Sequence, residues 1–184
     1  GNTAYNDYPT NAQGNGFKYN NRDNLNYEGG LICATSSTKV SDCVRGTNAN
    51  LQNTDFTNVI PFQITEPGIV SDQDGNALYN DNGAGASKIG IEVSFSSYSF
   101  AAAADEDYII LKYKIKNTNA TEIINFYAGV FNDWDVGVSG ANNKANWDAA
   151  NQLGYVWRTD NTPATYVGVT LLSATNVSYW AIDN

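Results

Sequence analysis

The chain has 184 residues, enough for a domain with a real core, and 42% are hydrophobic, which marks a globular chain and not a disordered one. Only 16% are charged. The polarity comes from Asn, Thr, Ser and Gly beside 12 Tyr and 4 Trp, a mixture that suits turns, strands and exposed aromatic surfaces better than helices. A formal net charge of -9 argues against nucleic acid and against anionic membrane surfaces, both of which need a basic footprint. The sequence contains no run of about 18 apolar residues, so no membrane insertion is expected.

Residues 1–28 are rich in Asn, Gly and Tyr without a period and read as an extended lead-in; residues 29–184 read as a single domain. Leu31–Ala34 and Val40–Val44 read as the arms of a hairpin turning near Ser36-Ser37-Thr38. With the turn centred on Thr38, Cys33 and Cys43 lie opposite one another, close enough for a disulfide, and two free thiols are the alternative. Gly46–Asn58 reads as a loop, and Val59–Thr65 as a strand kept to a sheet edge by Pro61. Pro67-Gly68 signals a turn, and Asp72–Ser87 reads as a polar loop.

Ile89–Phe95 alternates strictly, with odd positions apolar, and Leu111, Tyr113 and Ile115 alternate within Tyr108–Ile115. A period of two means one buried and one solvated face. Ile124–Phe131, Tyr155–Arg158, Tyr166–Leu172 and Ser178–Ile182 supply further strands. Ala101–Ala104 and Ala145–Gln152 are the only helix-like compositions. Many short strands between Asn/Gly turns predict an all-β fold: an antiparallel, jelly-roll-like β-sandwich with long Asn/Gly-rich loops.

The chain has no His, which removes Ser-His-Asp and Cys-His nucleophile systems and any His-containing zinc site. Its carboxylates lie almost all in turn-like segments, so the expectation is not an enzyme. Two segments have the spaced hard-oxygen ligands that calcium takes: Asp72, Asp74 and Asn76 in one, Asp133, Asp135 and Asp148 in the other. Each has a turn-capping alternative, since Asp and Asn bond their own backbone in turns. Trp134 and Trp147, with Asn143 and Asn146, are the candidate ligand-binding residues. Aromatic rings stack on sugars and amides bond their hydroxyls, while burial in the core is the competing role for each Trp.

Tyr27–Ile32, Ala34-Thr35-Ser36, Lys39–Asp42, Asp107–Tyr113 with Asn117-Thr118, and Tyr127–Asp135 carry a resemblance. Gly154-Tyr155-Val156, Tyr166–Val169 with Leu171-Leu172-Ser173, and Ala181–Asn184 extend it over most of the chain from about Gly16. Together they resemble a β-rich accessory region of large type IX-secreted proteins of Bacteroidota, commonly found after a subtilisin-like serine protease domain. The resemblance implies secretion or cell-surface display and a non-catalytic accessory role. The expected partner is a glycan or surface protein. The alternative is a structural spacer or subunit whose sheet is completed by another chain, because in similar proteins more strands follow the Ala181–Asn184 position.

Overall fold

The computed structural model describes residues 17–19, 25–44, 52–137, 140–160, 164–173 and 177–182. Most of the lead-in, the first part of the Gly46–Asn58 loop and Asp183-Asn184 lie outside the described residues. The fold is all-β and sandwich-like, with three antiparallel sheets. The chain forms two compact units: one contains Gly30–Phe131, the other Thr3–Gly29 with Asn132–Asn184.

The first unit is built on a four-stranded sheet in the order β3-β4-β5-β6, with β3 at Thr57–Thr65, β4 at Gln73–Asn80, β5 at Ile91–Ser99 and β6 at Ile109–Asn117. The strict alternation of β5 sends Ile91 and Val93 into the core, and the register sets Val93 against Ile115 and Phe95 against Tyr113. Pro61 sits in β3, the edge strand, inside the register shift between Ile60 and Gln63; a residue without a backbone N–H is tolerated there. Leu31 and Cys33, from β1 at Asn26–Ser36, pack with Tyr79, Ile89, Ile91 and Val93 to form the core, and Phe56, Phe95, Tyr113, Ile115 and Ile123 flank it.

The polar reading of Asp72–Ser87 is corrected. Its first half is β4, an interior strand, and its second half is a short 3-10 turn at Asn82–Ser87. Asp74 and Asp81 are buried, and each is satisfied by main-chain donors, so these two carboxylates act as internal caps, while Asp72, Asn76 and most of Asn82–Ser87 are exposed. Asp81 accepts from the backbone N–H of Ile89, Gly90 and Ile91 and from the Ser41 hydroxyl.

β1 pairs with β2 at Lys39–Ser41, as the hairpin reading expects, but Cys33 faces Ser41 and not Cys43. The turn sets Ser36 against Lys39, one residue tighter than a turn centred on Thr38, and a register shift between Ala34 and Ser36 adds the second residue. Both thiols are free. Burial pushes Cys33 up to about 12, assisted by the Asp81 charge, and burial also raises Cys43. The third sheet has the order β2-β1-β7, with β7 at Tyr127–Trp134. The boundary between the units falls inside β1 and β7.

In the second unit, β8 at Asn143–Asp148, β9 at Leu153–Arg158 and β10 at Tyr166–Thr170 form a sheet in the order β10-β9-β8. Val156 and Val167 pair across it and are buried with Leu25 and Val136, against which Phe17 and Trp134 pack. Leu25 belongs to the lead-in of the sequence reading, so the lead-in supplies core as well as the start of β1. The helix-like Ala145–Gln152 segment is instead β8 and its turn, where Asp148 accepts from the backbone of Ala150 and Asn151 and so closes a turn in place of a helix. Ser178–Ile182 forms no strand. Among the described residues no helix is long and apolar enough to cross a membrane.

Candidate functional site

The alternation of β9 sorts its side chains. Val156 and the glycine Gly154 lie on the core side, so Leu153, Tyr155 and Trp157 occupy the opposite face. Register carries this sorting to the neighbours. Tyr166 of β10 pairs with Trp157 and Gly168 with Tyr155; on β8, Lys144 pairs with Trp157, Asn146 with Tyr155 and Asp148 with Leu153.

Three rings therefore share the outer face. Trp157 and Tyr166 lie 6.2 Å apart between centroids with planes 19° from parallel. Tyr155 lies 5.6 Å from Trp157 and 6.3 Å from Tyr166. Tyr166 is 61% exposed and the other two are half-buried. The Asn146 amide donates to the Tyr155 hydroxyl at 3.1 Å and fixes the rim of the platform. Beside the rings lies a concavity of about 410 Å³ lined by Asp148, Leu153, Tyr155, Tyr166, Val167 and Gly168. Gly168 keeps it open: a Cβ there would meet the Gly154 carbonyl oxygen at 2.6 Å, so no side chain stands in front of Tyr155. The Asp148 carboxylate is held below the usual carboxylate range, first by the Asn151 side chain and then by the turn N–H groups.

The residues singled out from the sequence are distributed differently. Asn146 and Asp148 border the platform. Trp147 lies on the core side of the sheet, opposite Gly154, and stacks on Tyr179 at 5.2 Å and 9°; the same Tyr179 ring covers Gly154. Trp134 packs against Phe17 beside Val136. Asn143 is structural: its amide accepts from the Val136 N–H at 2.8 Å and donates to the Val136 carbonyl at 3.0 Å.

The calcium candidates are likewise not one cluster. Asp74 accepts from the N–H of Ile69, Val70 and Ser71 and from the Ser71 hydroxyl, which holds its carboxyl near 2. Asp72 accepts from the Ala101 N–H, and Asn76 from the Ser96 hydroxyl. Asp133 is the penultimate residue of β7, and Asp135, just past its end, donates its N–H to the Leu25 carbonyl. Among the described residues no three His, Cys, Asp or Glu gather as a metal group.

Sequence reasoning placed Tyr155, Trp157 and Tyr166 on strands but did not assemble them. The available signal was the Leu153-x-Tyr155-x-Trp157 alternation, which puts two aromatics on the face opposite Val156. Comparison of the chain with protein-family profiles, curated proteins and solved structures gives no match.

Proposed function

We propose that this chain is a non-catalytic, extracellular accessory module that binds a glycan on the Tyr155–Trp157–Tyr166 face. The observation that carries the reading is the three-ring platform on a solvent-facing sheet surface, backed by the Val156–Val167 core and set beside a concavity. The apolar face of a pyranose stacks on such rings, and Asn146 and Asp148 at the rim suit its hydroxyls. Rings only about 6 Å apart form one contiguous patch and not a spaced row, which fits one or two sugar units over a long chain. The resemblance to accessory regions of Bacteroidota type IX-secreted proteins supports secretion or cell-surface display. The test is retention on immobilised polysaccharides, with calcium and with EDTA, for the chain and for Trp157→Ala.

A second reading, a spacer or subunit that packs against another chain, is favoured by a separate observation. On the four-stranded sheet, Ile64 aligns through Gly75 and Ser97 with Leu111, on the face that carries Val93. There Phe62, Ile64, Ile109 and Leu111 are exposed, beyond the part that Leu31 and Cys33 cover. Sedimentation of the chain over a concentration series tests whether a second copy covers this surface.

A further inference from the structure

The opposite face of the same four-stranded sheet has a different chemistry. Lys112, Lys114 and Lys116 alternate with the core-facing Tyr113 and Ile115, so all three ammonium groups rise from one face of β6, roughly 7 Å apart along the strand. They are three of only ten Lys and Arg in a chain of net charge -9, so the row is a local reversal of the molecule's charge. All three are exposed, and no side-chain hydrogen bond or ion pair of their ammonium groups is found among the described residues. Register places mostly uncharged groups beside them: Ser96 and then Asn76 next to Lys112, Ser94 and then the apolar Leu78 next to Lys114. Glu92 faces Lys116 at one end of the row. At the far end of the face, the Asp74 carboxylate is already occupied by backbone donors.

We propose that this face is a second binding site, for an acidic polysaccharide whose carboxylates or sulfates pair with Lys112, Lys114 and Lys116 while Ser94, Ser96 and Asn76 meet its hydroxyls. A nucleic acid fits less well. Duplex DNA carries a charge about every 1.7 Å, and its binders typically neutralise about 6–10 phosphates, against three lysines on an acidic chain. Lysines on an edge strand also discourage sheet-to-sheet association. That role alone predicts no ligand and is separable by experiment.

The test is calorimetric titration of the full chain with polygalacturonate, heparin, a neutral glucan and duplex DNA. The variants are Lys112→Gln/Lys114→Gln/Lys116→Gln together and Lys114→Gln alone. The expected result is salt-sensitive binding of polygalacturonate or heparin, weakened at least tenfold in the triple variant and severalfold in the single variant. The proposal is overturned if the wild-type chain ignores both acidic polymers or binds DNA as tightly as it binds them. It is equally overturned if the triple variant self-associates yet keeps its polysaccharide affinity, which would leave the lysines as guards of the edge.

Discussion

Asp81 is the most demanding polar residue in the first unit. It is 1% exposed, and its carboxylate terminates three consecutive main-chain donors, Ile89 at 2.5 Å, Gly90 at 3.0 Å and Ile91 at 2.9 Å, plus the fully buried Ser41 hydroxyl at 3.0 Å. Replacement by Ala strands all of these donors in the interior. Each buried donor left unmatched costs about 1–3 kcal/mol, and water entering the vacated space recovers part of that, so the expected loss is about 3–6 kcal/mol. That is comparable with the whole stability of a typical domain, about 5–15 kcal/mol. Asp81→Asn keeps one acceptor oxygen but turns an NH2 group toward the donors, and should lose roughly half as much. Urea unfolding followed by far-UV circular dichroism measures the loss. Hydrogen exchange at Ile89, Gly90 and Ile91 localises it, since these amides should lose protection first. An Asp81→Ala chain within about 1 kcal/mol of wild type, with those amides still protected, would refute the assignment of Asp81 as the acceptor that holds this connection.

Trp147→Ala should lower stability by about 2 kcal/mol, less than a fully buried Trp because the ring is half-buried, and leave glycan retention intact in the folded fraction; thermal unfolding with a parallel binding assay checks both. Asp74 has its folded pKa depressed to about 2 by its Ser71 and backbone partners, so its stabilisation is fully present above its ordinary value near 3.8 and disappears as pH falls through about 2. Asp74→Asn should therefore be less stable than wild type at neutral pH, and the gap should close between about pH 4 and pH 2 in a series of melts. Both cysteines should titrate as thiols in urea, while in the native chain at pH 8 Cys33, buried and held near 12, should resist alkylation and Cys43 should react slowly; a mass lower by two hydrogens before reduction would contradict the free-thiol state.

What the sequence made legible was what a two-residue period encodes. Ile91, Val93, Tyr113 and Ile115 declare a buried face by themselves, and Pro61 declares an edge because it lacks a ladder donor. β4 was illegible because Asp74, Gly75 and Asn76 look like a loop until the partners of Asp74 are known, and those come from a turn that only the fold supplies. Cys33 and Cys43 miss one another because the turn is one residue tighter than the expected one and a register shift between Ala34 and Ser36, which no local pattern announces, adds another. The core-side placement of Trp147 was not legible, because polar neighbours in sequence alternate to the opposite face of a strand and say nothing about where the Trp itself points. The platform at Tyr155, Trp157 and Tyr166 needs the β9–β10 register, which joins residues that no local pattern connects.

Retention on immobilised polysaccharides tests the outer face of the β8–β9–β10 sheet as a glycan site most directly. The wild-type chain, Trp157→Ala and Tyr166→Ala should be compared on a panel of neutral polymers, with far-UV circular dichroism to confirm that each is folded. The expected result is selective, saturable retention by the wild-type chain that falls at least tenfold in both folded variants. No retention on any matrix, or retention that survives both substitutions, would contradict the assignment of this face as a glycan site.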